Sequence, residues 1–201
     1  PLLKKKLKKN QKINPKLALR HPNWKMGKKI SIDSATMMNK VFELIEAKKI
    51  FDLKYNKLSI IIHPESYVHS IIHFNNGLVK FLAHQTKMEI PIMNSISKNE
   101  IMFRYNEKDI DPNKLNNMSF LKPDRNKFML LKILNLLKNK DSYFETILII
   151  VNDYLVYEYL NKKLDFFKFQ KLLLYFLNTS TFKRYYKQKP KNINDINNMK
   201  K

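Results

Sequence analysis

The sequence predicts an α/β (α+β) segment with an antiparallel hairpin, followed by a C-terminal bundle of α-helices. Three observations lead to this prediction. An Asn76-Gly77 pair lies between apolar runs at residues 70–74 and 78–83, a pattern typical of a β-hairpin. Residues 58–62 are short, apolar and β-branched, as in a buried strand. Beyond residue 126, apolar side chains recur on several sides of the predicted helices, which favours packing between them.

Composition divides the chain into further parts. Pro15 can open a short helix, because proline is tolerated in a first turn. The stretch that contains Pro112 and Pro123 is polar and rich in asparagine, which is typical of a linker. The predicted parts are a basic lead-in at 1–14, an α/β portion at 15–92, a linker at 93–125, a helical domain at 126–182 and a basic tail at 183–201.

The α/β portion contains a predicted strand and a predicted helix in succession. Two isoleucines alternate with polar residues, which indicates a short strand over residues 29–33. Asp33 and Ser34 then offer side-chain oxygens that suit an N-cap. An amphipathic helix is therefore expected over residues 36–51.

Two helix N-termini can be recognised in the predicted helical domain. Ser142 and Glu145 match the S-x-x-E capping box, in which each side chain binds a backbone N–H of the first turn. Asp165 offers the same kind of oxygen before a later apolar run. Helices are predicted over residues 127–137, 143–161 and 166–177.

The net charge of +22 is concentrated at the two ends of the chain. Residues 1–20 carry eight Lys or Arg and no acid, and residues 181–201 carry seven and one, so 14 of the 22 charges lie there. A basic nucleic-acid-binding module is therefore an alternative, although nucleic acid is not the expected partner. The absence of cysteine excludes a disulfide framework, and no apolar run is long enough to span a membrane.

Polar side chains near the start of the predicted helix suggest a binding site. Asn39, Lys40 and Glu43 are spaced i,i+3 and i,i+4, so they share one face. With the Ser34 hydroxyl and the positive end of the helix dipole, this face suits an anion such as phosphate. A carboxylate one turn further along suits a divalent cation. The alternative is an ordinary solvated face, which any amphipathic helix needs.

Three blocks carry a resemblance to a known family. Residues 21–47 read H-P-N-W-K-M-G-K-K-I-S-I-D-S-A-T-M-M-N-K-V-F-E-L-I-E-A, which resembles the substrate-binding segment of 1-deoxy-D-xylulose 5-phosphate reductoisomerases. Residues 63–70, H-P-E-S-Y-V-H-S, are similar to the family's H-P-x-S-x-x-H-S, and residues 88–92, M-E-I-P-I, to its M-x-x-P-I. The blocks stand in family order and at family spacing, whereas the later helices resemble the family's C-terminal bundle only loosely.

The resemblance implies an activity and its requirements. Members convert 1-deoxy-D-xylulose 5-phosphate to 2-C-methyl-D-erythritol 4-phosphate in non-mevalonate isoprenoid synthesis. They use NADPH as reductant and Mg²⁺ or Mn²⁺ as a Lewis acid that polarises the ketone. A homodimer without membrane attachment is implied, in the bacterial cytoplasm, or in an organelle stroma if a transit peptide lies upstream.

The resemblance also implies roles at matching positions. Ser34, Asn39 and Lys40 would hold the substrate, largely through its phosphate, while His21 and Trp24 act from a loop that closes over it. The implied residues are catalytic His21, Trp24 and Glu43; substrate-binding His21, Ser34, Asn39, Lys40, Glu43, Ser66 and His69; cofactor-binding Gly27 and Met88; and metal-binding Glu43.

The residues present do not complete such an enzyme. Gly27 and Gly77 are the only glycines, so the chain has no glycine-rich dinucleotide loop, and Glu43 is a single carboxylate. An N-terminal dinucleotide-binding domain is therefore expected to be missing, and this fragment alone to be inactive. Val41 replaces a family glycine and is expected to crowd the phosphate site, and Glu65 replaces a glutamine. A degenerate remnant without catalysis is the other alternative.

Overall fold

The computed structural model describes residues 13–19, 27–97 and 112–199, which form two compact units. The helical unit is drawn from Pro1–Ile60 and Asp124–Lys201. The hairpin unit is drawn from Ile61–Pro123. The segment at 28–50 therefore groups with the C-terminal helices. The division of the chain into domains by a linker at 93–125 stays a prediction.

Most of the regular structure is helical. The α-helices are α1 (Pro15–Ala18), α2 (Lys28–Thr36), α3 (Met38–Ile50), α4 (Glu89–Ile96), α5 (Pro112–Asn116), α6 (Phe144–Leu160), α7 (Phe166–Asn178), α8 (Ser180–Lys183) and α9 (Ile193–Asn198). Two strands, β1 (Val68–His73) and β2 (Val79–Ala83), and 3₁₀ turns at Tyr55–Lys57, Met129–Asn135 and Arg184–Lys187 complete the described elements. Helices with one antiparallel hairpin confirm the predicted fold class.

The strand predicted over residues 29–33 is wrong, because this segment is part of α2. A strand would place Ile30 and Ile32 on the same face. Instead, Ile30 is 47% exposed and Ile32 is fully buried, as expected on two sides of a helix. An ion pair of 2.8 Å between Lys29 and Asp33, spaced i,i+4, adds local support for the helix.

The N-cap predicted for the next helix is also wrong. Asp33 and Ser34 lie within α2, and α3 begins at Met38 without a side-chain cap. Between the helices, Met37 adopts a left-handed conformation with φ of 65°. Its N–H donates to the Ser34 carbonyl oxygen at 3.3 Å, so α2 ends and α3 starts within a single residue.

Helices α6 and α7 carry much of the core of the helical unit. The Asp165 side chain accepts hydrogen bonds from Phe167 N and Lys168 N, which confirms it as the N-cap of α7. The ring of Tyr159 on α6 packs against two phenylalanines of α7. Its hydroxyl donates to the Ile13 carbonyl oxygen at 3.0 Å and thereby anchors the chain before α1.

The α-helix predicted over residues 127–137 is a 3₁₀ helix at Met129–Asn135. Residues three apart stack on each other in a 3₁₀ helix. Leu130 and Ile133 have this spacing, and both are fully buried. Leu131 between them is fully buried as well, so this short helix lies in the core.

The basic tail predicted at 183–201 packs in part against the helices. Tyr186 lies edge-on to the Phe144 ring at 4.8 Å and donates its hydroxyl to the Leu177 carbonyl oxygen. The Gln188 carbonyl oxygen accepts a hydrogen bond from Tyr143 N at 2.9 Å. The start of the tail is therefore held at the beginning of α6.

In the hairpin unit, β1 and β2 pair antiparallel, which confirms the predicted hairpin. Gly77 has φ of +88°, a conformation that glycine adopts without strain, and it closes the turn. The strand predicted over residues 58–62 is wrong, since only Ile62 pairs, through an isolated bridge to Leu121. Ile61 is 45% exposed, so this apolar run is not buried as a whole.

Part of the predicted linker is helical in the described residues. Helix α4 ends at Ile96, and α5 begins at Pro112. Residues 98–111 lie outside the described parts of the chain. Within those parts, no helix has both the length and the apolar character needed to cross a membrane.

A cluster of lysines around Asp141 joins the end of α3 to the segment before α6. Lys48 Nζ lies 2.8 Å from an Asp141 oxygen, and Lys49 pairs with the same oxygen. Lys189 lies 3.8 Å from the other oxygen. Hydrogen bonds from the first two lysines hold the pKa of Asp141 well below its ordinary value of 3.8.

We expect Asp141→Asn to lower the melting temperature at neutral pH. An acid whose pKa is lower in the folded state stabilises the fold above its unfolded pKa and loses that contribution as pH falls. The difference between the variant and the wild type should therefore shrink as the pH drops below about 4. Circular dichroism melts from pH 7 downward measure it. Glu46→Gln, which removes an exposed carboxylate of α3, is the control, and a pH-independent difference would contradict the prediction.

Candidate functional site

The segment at 31–41, where α2 meets α3, is called the corner here. It leaves a few polar residues partly exposed, while its other residues are buried. Between Ser31 and Val41, every residue is buried except Ser34, Asn39 and Lys40. These are three of the residues that the sequence predicts to bind substrate. The left-handed turn brings the end of α2 and the start of α3 together, so a hydroxyl, an amide and an ammonium belong to one corner of the helical unit.

Asn39, Lys40 and Glu43 form a polar cluster on the first turns of α3. Asn39 Nδ2 donates to one Glu43 carboxylate oxygen at 3.1 Å. Lys40 Nζ donates to the other at 2.7 Å, with side chains 38% and 49% exposed. Both donors sit on flexible, half-exposed side chains, so an incoming anion can compete with Glu43 for them.

A buried carboxylate lies directly beneath this corner. Asp33 Oδ1 accepts a hydrogen bond from Asn152 Nδ2 of α6 at 3.0 Å, and Lys29 Nζ lies 2.8 Å from Oδ2. Lys29 also lies 3.0 Å from an Asp153 oxygen. Burial raises the pKa of Asp33, and the hydrogen bonds from Lys29 and Asn152 oppose that rise. Sequence reasoning missed this network, because it treated Asp33 as a helix cap.

Val41 does not lie on the exposed side of the corner. Its side chain is fully buried, together with Met38 and with Ile45 one turn further along α3. Asn39 and Lys40 lie on the partly exposed side of the helix, so the effect of Val41 on a phosphate bound there stays a prediction. Met37 is buried as well, so the turn itself is anchored in the core.

Two further predicted residues, Ser66 and His69, belong to the hairpin unit. Ser66 has φ of 56° and donates its N–H to the His63 carbonyl oxygen, so it lies in a tight turn. The His69 ring stacks on the His84 ring with centroids 3.7 Å apart and planes 11° apart. His69 Nε2 lies 3.1 Å from the His84 carbonyl oxygen, so this nitrogen is the donor. The contact with His84 was missed, because no local pattern links His69 on β1 to a residue that follows β2.

Glu65, which replaces the family's glutamine, has a clear structural role. Its carboxylate accepts hydrogen bonds from the Ser119 hydroxyl at 2.8 Å and from Ser119 N at 3.2 Å. It also lies 3.0 Å from His63 Nδ1. Desolvation raises the pKa of Glu65, but hydrogen bonds from Ser119 and from its own backbone, together with the nearby His63, lower it, so the pKa is lowered overall. The extra negative charge is thus held by donors within the hairpin unit.

The remaining predicted residues are only partly described. Gly27 is the N-cap of α2, and a Cβ at this position would meet no atom within 4 Å. Met88 precedes α4 and is 53% exposed. His21 and Trp24 lie outside the described residues, as does the rest of their loop.

A metal site is not complete in the described parts of the chain. There, no group of three or more His, Cys, Asp or Glu side chains is arranged to hold an ion. Glu43 is an exposed carboxylate with hard oxygen donors, which suits Mg²⁺ or Mn²⁺ as a single ligand. The residues present therefore fit one position of such a site.

Comparison with protein families places most of the chain in one family. Residues 1–51 match the 1-deoxy-D-xylulose 5-phosphate reductoisomerase C-terminal domain, and residues 84–201 match the DXP reductoisomerase C-terminal domain. The Pelagibacter ubique 1-deoxy-D-xylulose 5-phosphate reductoisomerase is 53% identical over 193 residues, 96% of this chain and 50% of that protein. The Sulfurihydrogenibium enzyme of the same name is 38% identical over 164 residues, 82% of this chain and 44% of that protein.

Solved structures give the same result. A DOX-P reductoisomerase in complex with NADPH, fosmidomycin and magnesium has a TM-score of 0.88 and 32% identity, covering 99% of this chain and 50% of that one. The Zymomonas mobilis 1-deoxy-D-xylulose 5-phosphate reductoisomerase in complex with NADPH has a TM-score of 0.78 and 28% identity, covering 94% and 47%. The chain thus spans about half the length of the proteins that it matches.

We expect Val41→Gly, which restores the family residue, to destabilise this protein. The change removes a fully buried side chain and places glycine inside α3. The free energy of unfolding should fall by roughly 2 to 4 kcal/mol, as measured by urea denaturation. Val41→Ala keeps helix propensity and should be less harmful by about 1 kcal/mol. Equal stability of Val41→Gly and the wild type would show that Val41 is not a core residue.

Proposed function

Because this chain belongs to the 1-deoxy-D-xylulose 5-phosphate reductoisomerase family, we propose that it forms part of an enzyme of that activity. The enzyme would rearrange 1-deoxy-D-xylulose 5-phosphate and reduce the product with NADPH to 2-C-methyl-D-erythritol 4-phosphate. Family membership favours this function over a nucleic-acid-binding module, since the basic tails alone support that alternative. With two glycines and one candidate metal carboxylate, the chain by itself is expected to be inactive.

The observation that carries the proposal is the selective exposure of the corner between α2 and α3. Ser34, Asn39 and Lys40 are its partly exposed residues, and their neighbours are buried. A phosphate held there would receive a charge-assisted hydrogen bond from Lys40 and neutral bonds from the other two side chains. The N-terminal end of α3 adds a favourable dipole.

In this proposal the corner anchors one end of the substrate. A phosphate that is fixed in place restricts the carbon skeleton to a narrow range of positions, which lowers the entropic barrier to reaction. Ser66 and His69 would line the substrate pocket, and His21 and Trp24 would cover the substrate and exclude water. Gly27 and Met88 would contact NADPH. Support comes from the family blocks in the sequence and from the NADPH in the two similar structures.

We propose Glu43 as one ligand of a divalent ion, with the other ligands supplied from beyond the described residues. When bound, this ion would polarise the substrate carbonyl. Magnesium in a similar structure supports a divalent ion, and a carboxylate ligand also suits manganese. The family membership further supports a homodimer in the bacterial cytoplasm, or in an organelle stroma, as part of the proposal.

We expect Lys40→Gln to weaken the use of substrate in the full-length protein. Loss of a charge-assisted hydrogen bond to phosphate should lower kcat/KM by about 30-fold or more, which corresponds to roughly 2 kcal/mol. Steady-state kinetics of NADPH oxidation measure it. Lys49→Gln removes a lysine of the same helix that pairs with Asp141 and serves as the control. If both variants retain the wild-type kcat/KM, the phosphate site has been placed wrongly.

Glu43→Gln tests the metal ligand separately from the phosphate site. We expect weaker Mn²⁺ binding to the full-length protein, because a neutral amide replaces an anionic ligand. Electron paramagnetic resonance of free Mn²⁺ gives the dissociation constant, which should rise at least about tenfold. Glu46→Gln, which removes a carboxylate one turn away, should leave it unchanged. An unaltered constant in Glu43→Gln would remove Glu43 from the metal site.

A further inference from the structure

Asp33 is a charged group in the interior that the proposed chemistry does not use. It is 2% exposed, and within the described residues its carboxylate oxygens contact Asn152 Nδ2 at 3.0 Å and Lys29 Nζ at 2.8 Å. Asn152 is fully buried on α6, and 119 residues separate it from Asp33 in the chain. The pair therefore fixes the position of α2 against α6.

Lys29 extends this contact to a third element. Its ammonium lies 2.8 Å from Asp33, 3.0 Å from Asp153 of α6 and 5.0 Å from the centre of the Phe42 ring on α3. One cation thus contacts side chains of α2, α3 and α6. These are the helices that form and support the exposed corner, so the charges restrict how the corner can move.

The network acts at the end of α2 that carries the proposed phosphate-binding residues. Asp33 directly precedes Ser34, whose carbonyl oxygen accepts the Met37 N–H at 3.3 Å in the left-handed turn. The Thr36 hydroxyl lies 3.2 Å from the Asp33 carbonyl oxygen and 3.0 Å from that of Ile32. A shift of Asp33 would therefore move Ser34 and the turn that leads into α3.

Stability alone does not account for this arrangement. Buried ion pairs are often no more stabilising than apolar side chains of the same volume, because both charges lose their hydration. Asn152 Oδ1 is in addition buried without a hydrogen-bond partner among the residues that the structure describes, which is unfavourable. The network instead fixes the orientation of the helices, because each of its contacts requires one arrangement of donor and acceptor.

We infer that Lys29, Asp33 and Asn152 are positioning residues that hold Ser34 and the start of α3 in the geometry required to bind the substrate phosphate. This inference rests on the proposed function. It assigns no contact with substrate to any of the three residues. Their effect passes through the backbone of the corner to Ser34, Asn39 and Lys40.

The test uses Asp33→Asn, Lys29→Met and the exchanged pair D33N/N152D in the full-length protein. We expect the single variants to raise KM for the phosphorylated substrate about tenfold while kcat stays within about twofold, because a displaced anchor weakens ground-state and transition-state binding alike. The dissociation constant of inorganic phosphate should rise by a similar factor. The exchanged pair restores a donor facing an acceptor and should recover most of the affinity.

Asp141→Asn is the matched control, since it breaks another ion pair between elements of the helical unit without a connection to the corner. A merely structural role predicts lower melting temperatures with unchanged KM and phosphate affinity, and that result would overturn the inference. If Asp33→Asn does not fold, Lys29→Met keeps the Asp33–Asn152 hydrogen bond and decides the question by the same two constants.

The two proposals fail in different ways. A wild-type protein with no turnover and no phosphate affinity would refute the proposed function, and the inference would fall with it. A wild-type protein that is active, with Asp33→Asn and Lys29→Met variants that match its KM and phosphate affinity, would refute the inference alone.

Discussion

The helical unit depends on the burial of one carboxylate. Asp33 lies where α2 meets α6, and its two oxygens require a cation on one side and an amide donor on the other. Removing either partner would leave a buried charge with an unfilled hydrogen-bonding site, which is far less favourable than any exposed broken pair. These contacts join the segment from Lys29 to the left-handed Met37 to α6, and the chain changes direction into α3 at Met37.

Other acidic residues also hold parts of the structure in place. The chain has 17 acids against 39 Lys and Arg, so basic partners for an acid are abundant. Asp141 joins α3 to the start of α6, Glu65 holds the turn of the hairpin unit to Ser119, and Asp165 caps α7. Lysine, by contrast, is in excess. Of these lysines, the proposed phosphate site uses Lys40.

Structural features that depend on residues three or four positions apart could be predicted from the sequence. Features that depend on partners far away in the sequence could not. The Asp165 cap and the Asn76-Gly77 turn were predictable because their hydrogen bonds close within the segment. The i,i+3 and i,i+4 spacing likewise predicted that Asn39, Lys40 and Glu43 share one face of a helix. The strand predicted at 29–33 failed because the segment is helical, which leaves Ile30 exposed and Ile32 buried although they are two residues apart. No local pattern indicates that Asp33 meets a side chain more than a hundred residues away.

The scarcity of acids has an evolutionary consequence. A chain that drifts toward lysine and asparagine can exchange surface residues freely, because each exposed charge contributes almost nothing to folding. Tolerance to mutation is therefore very uneven along the sequence. Replacing one of a few aspartates removes a junction between elements, whereas replacing most of the exposed lysines removes little stability. Selection for stability is therefore expected to act on the codons of those few aspartates more than on the codons of the exposed lysines.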